Sequence, residues 1–138
     1  MILYGKKLAQ AFEILKQLMI LNGEIAVTVK ELSNELSLEI LTAHDETDRT
    51  VTGGYCGDLL SWVMGRAKAG DAWISIMGNV NSIAVAVLAD IACIVLADGS
   101  TLDEDARVRA EQQKIIVLQS QLDQFTLCNK IGELLKVK

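Results

Sequence analysis

Apolar residues recur at Leu8, Phe12, Leu15, Leu18, Met19 and Leu21, close to the helical period, and Asn22-Gly23 follows as a stop. An amphipathic N-terminal helix and a break are expected there. Thr28 stands three residues before Glu31, a capping box that opens a helix over 29–36 with Val29, Leu32 and Leu36 on its apolar face. Residues 38–42 read as a short strand and 43–57 as a loop. Asp58 then caps or charge-stabilises a helix through Leu59, Leu60, Trp62, Val63 and Met64, which ends among residues 65–70.

Residues 72–77 are strand-like. Residues 79–89 are apolar almost all round, as in a buried helix, and 91–96 form a buried strand stopped by Asp98-Gly99. Thr101 and Glu104 make a second capping box for a helix to about residue 113. A strand over 115–118 follows. Ser120 then caps a last helix with Leu122, Phe125, Leu127, Ile131, Leu134 and Leu135 on its apolar positions.

Helices and strands therefore alternate, which predicts an α/β fold. The expected architecture is three layers, α/β/α, around a mainly parallel sheet of about four strands. Composition agrees. Apolar residues make up 51% of the chain and aromatics only 4%, so the core is built from aliphatic side chains suited to strands buried on both faces. At 138 residues the chain can bury such a core without metals or disulfides.

The net charge of −5, with scattered Lys and Arg, argues against nucleic acid or an anionic membrane surface as partner. Lys6, Lys7, Glu13, Lys16 and Gln17 interrupt the N-terminal apolar run, so neither a membrane span nor a signal peptide is expected. Three cysteines far apart and one histidine give no metal-ligand spacing. No metal or cofactor is expected, and free thiols fit a cytoplasmic protein.

The candidate site is the stretch Asp48-Arg49-Thr50-Val51-Thr52-Gly53-Gly54, continued by Gly57 and Asp58. Arg49 is suited to fork onto a carboxylate or phosphate, with Asp48 orienting it; the favoured alternative is that Asp48 caps the loop while Arg49 pairs with a neighbouring acid or with a partner subunit. Thr50 and Thr52 have hydroxyls that bond the backbone of their own loop. Gly53, Gly54 and Gly57 before a helix start would expose N–H groups to an anion; a tight strand-to-helix turn is the competing reading. The stretch matches neither of the two specific phosphate-loop fingerprints, and Asp58 would repel a phosphate.

Other chemistry-bearing residues have simpler readings. His44 beside Asp45 suits a solvated surface histidine better than a catalytic base. Cys56 near a helix start would have a lowered pKa if reactive, but a small buried side chain is the preferred reading; Cys93 and Cys128 read as core. Asn79 or Asn81 caps a helix, the acids at 103–105 complement a helix dipole, and Trp62 and Trp73 read as core or interface anchors.

From Thr28 onward, over roughly four-fifths of its length, the chain resembles the DRTGG domain. The likeness rests on the 48–54 motif and on Tyr55-Cys56-Gly57-Asp58-Leu59-Leu60-Ser61. It extends to Ala72-Trp73-Ile74-Ser75-Ile76, Ile83-Ala84-Val85-Ala86 and Leu102-Asp103-Glu104-Asp105-Ala106. The resemblance implies a fold like the N-terminal domain of HPr kinase/phosphorylase, without that enzyme's P-loop. It also implies a regulatory or dimer-forming role like that of such domains beside nucleotide-sensing modules. Small stand-alone members occur in anaerobic bacteria near iron hydrogenases.

The expected division is an N-terminal helical extension, 1–24, and a DRTGG domain, 25–138. The extension is either a genuine helix packed on the domain or a partner, or the product of a start-site misassignment, with the true start at Val27. The expected function is a non-catalytic, ligand-sensing homodimer taking a small anionic or nucleotide ligand at Asp48, Arg49, Thr50, Thr52, Gly53, Gly54, Gly57 and Asp58. The alternative is a docking module for a redox enzyme system.

Overall fold

The computed structural model describes residues 2–21 and 26–136, so the expected break at Asn22-Gly23 lies outside the described residues. The first capping box forms as its spacing predicts. Glu31 N–H donates to Thr28 Oγ1 at 3.3 Å and Thr28 N–H donates to Glu31 Oε2 at 2.9 Å, opening α2 (Val29–Leu36). Before it, α1 (Ile2–Leu21) packs through its C-terminal end. Ile20 is buried, Lys16 pairs with Glu31 at 2.6 Å and Gln17 donates to Glu35 at 2.8 Å. Leu8, Phe12, Leu15 and Leu18 are exposed.

Short strands β1 (Val27–Thr28) and β3 (Thr50–Val51) pair antiparallel as a separate ribbon. The main sheet has β2 (Glu39–Ile40), β4 (Gly53–Cys56), β5 (Asp71–Ser75), β6 (Cys93–Leu96) and β7 (Val117–Gln119), in the order β2-β7-β6-β5-β4. Strands β4 to β7 run parallel, and β2 runs antiparallel on the edge of β7. The sheet is thus mixed and five-stranded, not mainly parallel with about four strands. The handedness rule constrains strands joined by a crossover. Strand β2 joins a partner from the far end of the chain, and local pattern carries no information on its direction.

Because β4, β5, β6 and β7 are laid down side by side in order, their right-handed crossovers put α3 (Leu60–Arg66), α4 (Val80–Leu88) and α5 (Glu104–Gln113) on one face. Helices α2 and α6 (Gln124–Leu135) cover the other. Alternation along the strands divides the core accordingly. Trp73, Ile94 and Leu96 pack with Val63, Ile83 and Ala106, whereas Ile74, Cys93 and Val95 pack with Leu32, Leu127 and Ile131.

Three helix starts differ from expectation. Residue Leu59, not Asp58, is the N-cap of α3, and Asp103, not Thr101, precedes α5. Asp123 caps α6 by accepting from Thr126 N–H at 2.7 Å, while Ser120 is buried and accepts from Leu122 N–H. Asp58 and Ser120 each found a different donor from the one their spacing suggested. Asn79 caps α4 as expected, accepting from Ser82 N–H at 3.0 Å. The cap's hydrogen bonds lower the Asp123 pKa below its ordinary 3.8. Its stabilising effect is therefore present above that value and is lost as the pH falls through the lowered one.

Past β5 the chain passes close under the loop that enters α5. A Cβ on Gly78 would fall on the Thr101 carbonyl oxygen and 3.1 Å from Leu102 Cα, and Asp103 N–H donates to Gly78 O at 2.8 Å. Backbone cannot rotate away as a side chain does. Gly78→Ala is expected to cost about 1–3 kcal/mol, read as a lower urea midpoint at unchanged slope. A midpoint equal to that of the parent protein would refute the close approach.

Candidate functional site

The stretch read as one loop is divided among several elements. His44–Glu46 form a 3-10 turn, Asp48 and Arg49 follow it, Thr50 lies in β3, and Gly53 and Gly54 lie in β4. Thr52 joins the two strands, donating its N–H to Gly70 O at 2.9 Å. Gly57 and Asp58 come after β4. The two glycines therefore belong to a strand paired with β5, not to a strand-to-helix loop. Gly53 is required by packing, since a Cβ there would lie 2.7 Å from Asp71 Oδ1. That carboxylate is held beneath it, buried, with Oδ2 accepting from Lys68 N–H at 2.8 Å.

Two separate clusters result, at opposite ends of a strand about 13 Å long. At the amino end, Arg49 is fixed by its backbone and by its fork. Val29 N–H donates to Arg49 O at 2.9 Å, and Arg49 N–H donates to Glu46 O at 3.2 Å. Its Nη2 donates to both the carbonyl and Oδ1 of Asp90, at 2.8 and 3.0 Å. Asp90 sits in the left-handed region (φ 54°) just past α4, so its carbonyl faces back and also accepts from Gly70 N–H. This ion pair is exposed.

Beside it opens a cavity of about 420 Å³, walled by Glu46, Asp48, Arg49, Asp90, Gln113 and Lys114 over a floor of Ala92 and Ile116. The C-terminal ends of α4 and α5 meet here, with their partial negative charge. Three acids face two bases, so the cavity suits a ligand that brings hydrogen-bond donors and one anionic group. Several phosphates would meet net repulsion.

At the carboxyl end, Asp58 is held by bonds to its own fold. Its Oδ1 accepts from Ser75 Oγ at 2.8 Å, Ile76 N–H at 3.0 Å and Gln124 Nε2 at 3.1 Å, tying β4, β5 and α6 together. The Gly57 carbonyl beside it accepts from Trp73 Nε1 at 2.8 Å. Asp48, Arg49 and Asp58 thus do not converge. Asp90, Lys114 and Gln124 carry no sequence motif, and Ser75 stands out only as part of the 72–76 stretch.

His44 is exposed, as expected. Trp73 is buried, while Trp62 is exposed and stacks under the Arg66 guanidinium at 3.9 Å. Cys93 is fully buried, which pushes its thiol up to about 12. Cys56 is exposed on the edge strand rather than buried. Its thiol is also pushed up to about 12, chiefly by desolvation on the inner side and by the adjoining Cys128 thiol. A helix start would have lowered it; the strand position removes that influence. Among the described residues no group of three or more potential ligands is placed to hold a metal, and no helix is long and apolar enough to cross a membrane.

Fold and site together define a three-layer α/β domain with the 48–54 stretch leading into its edge strand. No family model matches the chain, and no curated protein matches it in sequence. Among solved structures it is similar to the CBS and DRTGG domains of the regulatory region of Clostridium perfringens pyrophosphatase, complexed with the activator diadenosine tetraphosphate. The TM-score is 0.62 at 14% identity, over 78% of this chain and 46% of that one. The fold is DRTGG-like. The chain spans less than half of that structure.

Proposed function

We propose that this chain is a regulatory, ligand-sensing module of the DRTGG family with no catalytic activity of its own. Its ligand enters the cavity beside Asp48 and Arg49. The observation that carries this reading is the placement of both motif residues in the wall of the molecule's 420 Å³ amino-end cavity, on a DRTGG-like fold. A nucleotide is the ligand class. Arg49 and Lys114 take an anionic group, and Glu46 and Asp48 accept from sugar or base. The similar pyrophosphatase region, which binds a dinucleotide activator, supports this class. The charge of the cavity favours nucleotides with few phosphates.

A thermal-shift series of adenine nucleotides, with diadenosine tetraphosphate included, tests the reading. Ligand-dependent stabilisation is expected, about 2.7 kcal/mol at a hundredfold excess over Kd. Arg49→Ala should abolish it while changing unliganded stability by about 0.5 kcal/mol or less, since the Asp90 pair is exposed. Uniform silence across the series would overturn it.

The homodimer of the first reading and its alternative, a docking module for a redox enzyme such as an iron hydrogenase, both draw on one observation. Leu8, Phe12, Leu15 and Leu18 expose more than half of their surface along α1. Sedimentation of the chain with and without residues 1–24 separates the two: loss of association on truncation assigns the face to self-assembly.

A further inference from the structure

Two thiols from different elements meet at the open edge of the sheet. The register between β4 and α6 is set by Gln124, whose Nε2 lies 3.1 Å from Asp58 Oδ1. Cys56 is the last residue of β4, two positions before Asp58. One turn further along α6, on the same helix face, is Cys128. Cys56 and Cys128 line the same cavity, one from β4 and one from α6, so that each thiol adjoins the other.

Cys56 is exposed and Cys128 half-buried. A cavity of about 230 Å³ opens beside them, lined by Gly54, Ile74, Ile131 and Leu135. The absent side chain at Gly54, two residues from Cys56 on the same strand face, leaves the sulfurs approachable. The third cysteine, Cys93, is fully buried in β6 and takes no part.

We propose that Cys56 and Cys128 are a reversible dithiol–disulfide site that takes a low-molecular-weight disulfide as oxidant. The first of the two sulfurs to lose its proton attacks the reagent's S–S bond. It forms a mixed disulfide and expels one reagent thiolate, which is protonated. The second sulfur, losing its proton, displaces the other reagent thiolate. Two protein thiols are oxidised to one disulfide, and one reagent disulfide is reduced to two thiols. The new bond staples α6 to β4 next to the Asp58–Gln124 hydrogen bonds.

The test uses the full chain, reduced, freed of reductant and exposed to glutathione disulfide. The expected product has lost two hydrogen atoms by intact mass, keeps one alkylatable thiol after denaturation, and yields a linked peptide pair containing Cys56 and Cys128. Dithiothreitol restores all three thiols. Closure should accelerate about tenfold per pH unit through the neutral range, because attack requires the thiolate. Cys93→Ser should behave like the parent, and Cys56→Ser should give no internal bond. A persistent glutathione adduct on the parent chain, a disulfide between chains, or three thiols left free in folded protein would each overturn the proposal.

Discussion

Trp73→Ala lowers the unfolding free energy by about 3–5 kcal/mol, the largest single-residue effect expected in this molecule. Trp73 is fully buried on the β5 face that meets α3 and α4, and it belongs to the cluster with Val63 and Ile83. Truncation leaves a cavity that rigid strands on both sides cannot close. It also removes the indole donor to Gly57 O. At about 3–5 °C per kcal/mol for a domain of this size, the melting temperature should fall by roughly 10–20 °C. Trp73→Phe separates the two contributions. It keeps most of the packing and loses the hydrogen bond, so a cost of about 1–2 kcal/mol is expected. If phenylalanine were as damaging as alanine, the bond to Gly57 would dominate over packing.

Asp58→Ala is expected to cost about 2–3 kcal/mol, because one carboxylate oxygen serves three donors from two segments, the end of β5 and the start of α6. Ser75 is fully buried, so its hydroxyl cannot turn to water when the acceptor disappears. Gln124→Ala should cost less, about 1 kcal/mol, since it removes one donor and leaves the others satisfied. The double variant should then cost less than the sum of the two. Equilibrium denaturation of the four proteins gives this coupling, and strict additivity would rule out the network. In Asp58→Ala the nucleotide-dependent shift should survive, because the cavity at Arg49 lies at the other end of β4. Loss of that shift with the fold intact would move the ligand to the carboxyl end.

The stability variants and the Arg49 variant probe different layers of the molecule. Trp73 and Asp58 hold the scaffold, whereas Arg49 spends one face on an exposed ion pair and presents another to the cavity. A module that senses a ligand through Arg49 needs that pair to be weak. An ion pair with Asp90 worth a fraction of a kcal/mol can be exchanged for a bound anionic group at little cost.

Legibility followed the range of the interaction. The Thr28–Glu31 box, the Asn79 cap and the apolar periodicity of α2 and α6 act within a few residues, and the chain displays them directly, whereas α4, apolar almost all round and read as buried, leaves Val87 and Leu88 exposed. Alternation of helices and strands likewise implied helices packed on a sheet, but the crossovers cover one face only, and the second face is covered by α2 and α6, which join no parallel pair. The direction of β2, which no crossover constrains, was not written locally. Nor was the cap of α6: Ser120 and Asp123 are equally suitable by type, and burial of Ser120 beside β7 decided between them.

The glycines of the 48–54 stretch show the same division. Their composition marks a special backbone, and the sequence alone left an anion-binding loop and a tight turn as alternatives. Only the tertiary structure decided that the tightness is Gly53 against a buried Asp71, in a strand and not in an anion loop. By running that strand between them, the fold also sent Asp48 and Arg49 to one end of the sheet and Asp58 to the other. The partners they met there, Asp90 and Gln124, are 41 and 66 residues away in sequence. Local residue types set which elements form, but contacts at such separations exist only once the sheet has brought the elements together.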